Sequence, residues 1–247
     1  LYTTQGKYTE AEPLYQRALE IDELHFGSTD SHTATVLDSL TLLYKNQGRY
    51  VEAEPLYQRA LEIYEQQLGP MHPDLAQSLN NIATLYEEQK KYAEAEPLHQ
   101  RALAIREEQL GPMHPDTAQS LNNLAIFYMQ QGHYEKTKPL LQRALKISEE
   151  TFGAHHPGTA LSLSNLAALY VVQGEYGEAE SLYRRALAIH EERLGPLHPE
   201  LAQVLNNLAG LYAEQGKYAE AEVLYLRTLV IREQRLESEH PDIVHSL

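Results

Sequence analysis

The chain repeats itself at a fixed interval of 42 residues, and this period constrains the fold more than any other feature of the sequence. The repeated stretch reads Leu-Asn-Asn-Leu-Ala-x-x-Tyr in its most regular copies. The tyrosine that closes it recurs without a slip at Tyr2, Tyr44, Tyr86, Tyr128, Tyr170 and Tyr212. A period of about 20–50 residues is typical of solenoids, in which each unit buries its apolar face only against its neighbours. We therefore expect function on a surface that several copies share.

Each copy has the pattern of two helices, as the stretch from Pro73 to Pro112 illustrates. His72-Pro73 and Asp74 supply residue types favoured at a helix start. Apolar residues at three-and-four spacing predict one buried stripe up to a break at 89–91 and a second stripe after it. The stripes are Leu75, Leu79, Ile82, Ala83 and Tyr86, then Tyr92, Ala95, His99, Ala102, Leu103 and Leu110. We expect Gly111 to end the second helix as a left-handed cap, and the other copies to end alike at Gly27, Gly69, Gly153 and Gly195.

Small residues recur where the two helices of a pair must approach closely. They are Ala83, Ala125, Ala167 and Ala209 on the first helix and Ala53, Ala95, Ala179 and Ala221 on the second. This order of small and large residues resembles the tetratricopeptide repeat. The longer unit, with Glu-Ala-Glu-Pro-Leu, Leu-Gly-Pro-x-His-Pro and Leu-Asn-Asn-Leu-Ala, resembles the kinesin light chain subtype of that family. The resemblance covers the whole chain and implies an all-α solenoid of antiparallel helix hairpins, forming a right-handed superhelix whose first helices line a concave groove.

The period also predicts the domain organisation, which is a single repeat domain over residues 1–247. Residues 1–28 form the second helix of a truncated repeat, and 238–247 begin another. Five full repeats lie between them, at 29–69, 70–111, 112–153, 154–195 and 196–237. Incomplete repeats expose apolar faces. We therefore expect end-to-end self-association through the unfinished ends, which contain Leu1, Tyr2, Ile243, Val244 and Leu247.

Paired asparagines on the first helices are the strongest candidates for a binding site. They are Asn80 and Asn81, Asn122 and Asn123, Asn165, and Asn206 and Asn207. Asparagine lowers helix propensity modestly, so its recurrence in mid-helix needs a reason. An amide can pair with both backbone groups of an extended peptide. First helices about 10 Å apart would then hold a segment of roughly a dozen residues.

Two interpretations of these amides remain open. They either bind a peptide or bond across to the next repeat and join neighbouring first helices. The resemblance to kinesin light chains, in which groove asparagines are implied to hold cargo peptides, favours the ligand role for Asn81, Asn123, Asn165 and Asn207. The role of Asn80, Asn122 and Asn206 is less determined by the pattern.

Residues that vary between copies on the same inner face are candidates for specificity. The sequence predicts an apolar patch in the middle of the groove, formed by Ile126, Met129, Val171 and Val172. Exposed apolar patches commonly mark contact sites. The alternative is that a longer preceding helix buries them. Kinesin light chain grooves are understood to favour acidic-aromatic peptides through basic residues, which are scarce here beyond Lys45. We therefore predict an apolar anchor with neutral or basic flanks.

Composition excludes several other functions. Lys+Arg 20 against Asp+Glu 35 gives a net charge of −15, the wrong sign for a nucleic-acid partner. There is no apolar run of membrane-spanning length and no leader, and the absence of cysteine agrees with a reducing compartment, so we expect a cytoplasmic protein.

The histidines that recur before proline resemble a metal site only superficially. They are His72, His114, His156, His198 and His240, one for each loop. Zinc sites need closely spaced ligands, whereas a side chain at a helix entrance can help to cap the helix. No phosphate-binding loop or catalytic motif is present. We expect no metal, no cofactor and no enzymatic activity.

Two functions remain. The first is a scaffold or adaptor that binds an extended peptide of a protein partner through its groove asparagines. We call the row formed by Asn81, Asn123, Asn165 and Asn207 the asparagine ladder. The second is a structural or regulatory repeat array within a larger multidomain signalling protein.

Overall fold

The computed structural model describes the backbone of residues 8–239 and the side chains of residues 8–233. Within that range the chain forms eleven α-helices and no strand. They are α1 Tyr8–His25, α2 Ser31–Asn46, α3 Tyr50–Leu68, α4 Pro73–Glu88, α5 Tyr92–Gln109, α6 Pro115–Gln130, α7 Tyr134–Phe152, α8 Pro157–Val172, α9 Tyr176–Leu194, α10 Pro199–Glu214 and α11 Tyr218–Glu239. The expected unfinished ends, with Leu1, Tyr2, His240, Ile243, Val244 and Leu247, lie outside the described residues.

The helices pack as consecutive pairs, which confirms the predicted all-α solenoid of helix hairpins. The first helices of the pairs are α2, α4, α6, α8 and α10, and the second helices are α3, α5, α7, α9 and α11. The chain divides into two compact units, residues 1–127 and residues 128–247. Within the first unit α2 lies against α3 and α4, and within the second α8 lies against α9 and α10.

The predicted apolar stripes form the core of both units. In the first unit Leu37, Leu75, Leu79 and Ile105 are fully buried in one cluster. In the second unit the corresponding cluster contains Leu163, Tyr183, Ile189 and Val204. The eight alanines predicted at the close approaches are all at most 3% exposed. Their missing side-chain bulk lets the two helices of a pair approach closely, as the pattern predicted.

Histidine caps begin most of the first helices. His72 accepts a hydrogen bond at Nδ1 from the backbone N–H of Asp74, two residues later. The same bond, at 3.0–3.3 Å in all four copies, is accepted by His114 from Asp116, by His156 from Gly158 and by His198 from Glu200. In α2 the carboxylate of Asp30 replaces the imidazole and accepts from the N–H of His32. Capping satisfies a backbone donor that the helix leaves without a partner. The expected capping role of these histidines is confirmed at all four described positions.

Glycines end the helices in two different conformations. After a first helix, Gly48 has φ 72 and donates to the carbonyl of Lys45, while Arg49 donates to that of Tyr44, which is a Schellman motif. After a second helix, Gly69 has φ 87 and ψ 159. The predicted left-handed cap is therefore wrong for Gly69 and for its equivalents Gly153 and Gly195, because they are extended at positive φ. That region is accessible essentially only to glycine.

A recurring ion pair joins successive second helices. Arg59 reaches Glu23 at 2.6 Å and Arg101 reaches Glu65 at 2.6 Å. Each arginine also donates to a backbone carbonyl in the preceding loop, that of Ser28 for Arg59. The partners are about one-third exposed, so each pair contributes at most about 1 kcal/mol. Its main effect is to fix the register of one repeat on the next.

Candidate functional site

Adjacent asparagines on α4 and on α6 have different environments, whereas Asn206 and Asn207 on α10 are both half-buried. Asn80 is 2% exposed, and its Nδ2 donates to Ser120 Oγ at 3.4 Å across the interface with α6. Its Oδ1 lies 2.8 Å from Nδ1 of His99 on α5. Both ends of this amide are therefore engaged inside the fold. The expectation that Asn80 binds a peptide needs correction, because the amide instead joins neighbouring repeats.

The equivalents of Asn80 are also poorly accessible. Asn122 is 8% exposed, and its Oδ1 is buried without a hydrogen-bond partner. Asn206 is half-buried, and Ser164, which replaces asparagine in the next copy, is buried and donates to the carbonyl of Ala160. A side chain that is less than one-tenth exposed, as Asn122 and Ser164 are, offers a ligand almost no surface. We therefore remove Asn122 from the candidate site together with Asn80, and Asn206 stays at its margin.

The second asparagine of each copy is partly exposed. Asn81 and Asn123 lie in the first unit, and Asn165 and Asn207 lie in the second. We call the surface that carries these residues, in each unit separately, the first-helix face of that unit. Oδ1 of Asn81 accepts from Gln77 Nε2 at 3.0 Å, and Oδ1 of Asn207 accepts from Gln203 Nε2 at 2.9 Å. The glutamine fixes the amide orientation, so the NH₂ group of the asparagine keeps its donors for another acceptor.

Asn123 and Asn165 have no such support. Among the described residues neither makes a side-chain hydrogen bond, and both are partly exposed. In α8 the residue four positions before Asn165 is Leu161, which cannot donate. In α6 the residue before Asn123 at this spacing is Gln119, whose Oε1 accepts from Arg106 instead. These two amides consequently have the largest unused hydrogen-bonding capacity of the four.

A buried arginine supports the first-helix face from behind. Arg106 is 4% exposed, and its guanidinium donates to the Asp116 carbonyl at 2.9 Å, to Ser120 Oγ at 3.1 Å and to Gln119. It also donates to Oε1 of Gln77 at 3.3 Å, and Gln77 in turn holds Asn81. Burial lowers the pKa of Arg106 from its usual value, and the nearby charge of Asp116 opposes that change. Arg106 thus orients an exposed amide through one intermediate side chain.

One repeat earlier, the equivalent place is a cavity of about 410 Å³ between α2 and α4. It is lined by Ser31, His32, Thr35, Asp38, Tyr64, Leu68, Asp74, Gln77 and Ser78. Oδ2 of Asp38 accepts from Ser78 Oγ at 2.9 Å and from the Tyr64 hydroxyl at 3.3 Å, while its Oδ1 is buried without a partner. Burial raises the pKa of Asp38 to about 6, although the hydrogen bonds from Ser78 and Tyr64 oppose this. The cavity therefore has an acidic wall.

The second unit has a cavity at the same register, between α8 and α10. Its volume is about 400 Å³, and Leu161, Ser164, His190, Gln203 and Val204 are among its lining residues. Nδ1 of His190 is buried without a hydrogen-bond partner, and burial lowers the pKa of this imidazole. Leu161 is 58% exposed. The cavity at this register is consequently acidic in the first unit and largely apolar in the second.

The residues of the predicted apolar patch are only partly accessible. Ile126 belongs to the first unit and is half-buried. In the second unit Met129 and Val171 are half-buried, and Val171 packs against the core, whereas Val172 is 51% exposed. The alternative interpretation, burial, therefore applies in part to Val171. Val172 is the member of the set with the most surface for an anchor contact.

Two charged residues on the first helices α2 and α4, Lys45 and Glu87, are engaged with their neighbours. Oε1 of Glu87 lies 2.6 Å from Nε2 of His99, and that imidazole is only 1% exposed. Lys45, the one basic residue expected there, lies 3.5 Å from Glu88. The charge available to a ligand is therefore smaller than the sequence suggests, apart from the uncompensated carboxyl of Asp38.

Sequence inspection missed Arg106 and the two cavities. The signal was a substitution pattern at one register position, where Tyr64, Arg106, Ser148 and His190 succeed one another in otherwise copied helices. Arg106 also stands four residues after Ala102, at the spacing of the buried stripe. A charged residue at a core position predicts a buried polar network.

Residues 8–233 bring together no group of three or more His, Asp or Glu residues that could hold a metal ion. No described helix is both long enough and apolar enough to cross a bilayer.

Comparison with known proteins follows the repeat. The family model described as tetratricopeptide repeat matches residues 1–66, 42–108, 74–136, 116–192 and 162–234. No curated protein matches the chain. The crystal structure of BtubC (BKLC) from P. vanneervenii is 25% identical, with a TM-score of 0.72 over 96% of this chain and 93% of that one. A kinesin light chain-like protein from Podosopora anserina with nearly identical TPR-like repeats is 27% identical, with a TM-score of 0.66 over 81% of this chain and 95% of that one.

Proposed function

Because the chain belongs to the tetratricopeptide repeat family, in its 42-residue kinesin light chain type, we propose that it is a non-catalytic scaffold that binds an extended segment of a partner protein. The first-helix face of each unit is a binding surface. Asn81, Asn123, Asn165 and Asn207 contact the backbone of the segment, and Val172 supplies an apolar contact.

The observation that carries this proposal is the difference between the two asparagines of a pair. Asn80 is engaged by Ser120 and His99, whereas Asn81 one position later is partly exposed and oriented by Gln77. Mid-helix asparagine costs helix propensity. An internal network explains the retention of Asn80, and a ligand explains the retention of Asn81, Asn123 and their equivalents.

A primary amide suits a backbone ligand of variable sequence. Its NH₂ group donates to a peptide carbonyl while its carbonyl accepts from a peptide N–H. Asn123 and Asn165 retain both capacities, and Asn81 and Asn207 retain the donors. Recognition of backbone groups gives affinity without reading side chains, as in other modes that bind extended peptides. Specificity then depends on the positions that vary between repeats.

The decisive experiment compares two sets of variants in a peptide-array screen with the full chain. Asn123→Ala together with Asn165→Ala should weaken binding of every selected peptide by about tenfold or more, since two hydrogen bonds are lost. The matched control is Asn80→Ala, which should lower stability and leave peptide affinity unchanged. Unaltered binding by the double variant, with reduced folding cooperativity, would instead favour a purely structural or regulatory array.

A further inference from the structure

The cavity between α2 and α4 has the lining of a site that holds a guanidinium one repeat later. Adding 42 to the numbers Asp74, Gln77 and Ser78 gives Asp116, Gln119 and Ser120. Those three residues supply acceptors to the Arg106 guanidinium through a backbone carbonyl, an amide oxygen and a hydroxyl. The residue types at all three positions are the same in the two repeats. The α2–α4 cavity therefore contains the side chains of a guanidinium site.

The two repeats differ at the residue that fills the site. Arg106 is replaced by Tyr64, whose hydroxyl lies 3.3 Å from both Thr35 Oγ1 and Asp38 Oδ2. The tyrosine leaves a cavity of about 410 Å³, whereas Arg106 places its own guanidinium among the equivalent groups. This substitution opens a site that the next repeat closes with its own side chain.

The second difference is one of charge. The register position of Asn80 is occupied by Asp38, so a neutral amide becomes a carboxyl. Within the described chain Asp38 has no ion-pair partner, and the groups that face it are His32 on α2, Tyr57 and Tyr64 on α3, and Asp74 on α4. A carboxylate without a cation in a partly buried place is costly unless a positive charge approaches it.

We propose that the α2–α4 cavity binds the guanidinium of an arginine side chain from the extended partner segment. This inference rests on the proposed function, because the α2–α4 cavity binds one side chain of the peptide whose backbone the asparagines contact. Ser78 Oγ and the Asp74 carbonyl accept N–H groups, as their equivalents do for Arg106. Oε1 of Gln77 already accepts from Arg106 at 3.3 Å and has its second lone pair for the ligand, while Asp38 supplies the compensating charge. Arginine fits better than lysine, because its planar fork reaches several acceptors at once.

The test uses N-acetyl-arginine methylamide as the probe and N-acetyl-citrulline methylamide as the neutral probe of the same shape. Binding to the full chain is followed by amide chemical shifts in ¹H–¹⁵N spectra. The arginine probe should shift amide signals of α2 and α4. The citrulline probe should bind about tenfold more weakly, or not detectably, since a charge-assisted hydrogen bond is lost. Equal binding of the two probes would overturn the proposal.

Two variants separate the pocket from general charge effects. Asp38→Asn should weaken the arginine probe about tenfold, and Tyr64→Arg should abolish its binding because the variant supplies its own guanidinium. The matched control is Glu62→Gln, which removes an exposed carboxyl from the same helix as Tyr64 and should change nothing. If Tyr64→Arg disturbs the fold, Asp38→Asn alone still tests the proposal. Unchanged binding of the arginine probe by that variant refutes the role of the Asp38 charge.

The outcome also distinguishes the pocket from the peptide proposal. A peptide selected on the array is compared with a version in which citrulline replaces arginine. Loss of affinity with citrulline in the natural chain, without a comparable loss in the Asp38→Asn variant, supports the pocket. Equal affinity of both peptides, with continued sensitivity to Asn123→Ala and Asn165→Ala, would refute the pocket and leave the asparagine ladder standing.

Discussion

Asp38→Asn is expected to stabilise the protein at neutral pH, because the carboxyl it removes is destabilised by its surroundings. Burial raises the pKa of Asp38 from 3.8 to about 6. A difference of this size between folded and unfolded chains corresponds to about 3 kcal/mol. Asparagine keeps an oxygen that accepts from Ser78 and Tyr64 but carries no charge. Allowing for weaker hydrogen bonds to a neutral acceptor, we expect a gain of about 1–3 kcal/mol in the free energy of unfolding.

The direction of the pH dependence follows from the raised pKa. A carboxyl that binds its proton more tightly when folded favours the folded state only while it is protonated. That contribution is complete below the unfolded pKa of 3.8 and is lost as the pH rises through about 6. The advantage of Asp38→Asn over the natural chain should therefore be largest at about pH 7.5 and fall by about half at about pH 5.

Urea denaturation followed by circular dichroism at both pH values measures this difference directly. Glu62→Gln is the control, because it removes an exposed carboxyl and should change stability by less than about 0.5 kcal/mol at either pH. A ¹³C titration of the Asp38 carboxyl gives its pKa independently. An ordinary pKa near 3.8, or an Asp38→Asn variant that is less stable than the natural chain at both pH values, would refute the reasoning.

Four further substitutions test the fold. Lys90→Gly should stabilise by about 0.5–1 kcal/mol in urea denaturation, because Lys90 has φ 60 where the other repeats have glycine, and the reverse change Gly48→Lys should destabilise. Arg106→Leu should cost about 1–3 kcal/mol, because Oε1 of Gln119 and Oε1 of Gln77 lose the guanidinium donor, and an unchanged unfolding midpoint would contradict this. Leu163→Ala should cost about 2–5 kcal/mol, since Leu163 is fully buried in the second unit, and a loss below about 1 kcal/mol would show that the site collapses around the gap.

The helices and the core could be predicted from the sequence because the relevant signals are local and repeated. Proline and histidine mark the start of α4, and the apolar spacing marks its buried side. A 42-residue repetition then transfers the assignment from one copy to the next. The conformation of Gly69 was not predictable in the same way, because left-handed and extended states at positive φ both require glycine.

The candidate site was predicted only in part. Asn80 and Asn81 look equivalent in sequence, but neighbours on a helix point about 100° apart, so one meets Ser120 and the other is exposed. Which of the two faces the next repeat depends on how helices pack across the interface, and this packing cannot be read from spacing within one helix. Arg106 was missed for the same reason, since its acceptors lie on α4 and α6.

If the first helices bind a peptide as proposed, variation at one buried position would let copied repeats recognise different side chains. Tyr64 leaves an acidic cavity, Arg106 closes the equivalent space, and His190 borders a cavity that Leu161 and Val204 make largely apolar. The helical backbone is the same in these copies, although Asp30 caps α2 where histidine caps α4, α6, α8 and α10, because residues elsewhere in the repeat set it. Under the proposed function, exchange at this position would alter which ligand side chain is accepted and leave the 42-residue spacing of the asparagines unchanged.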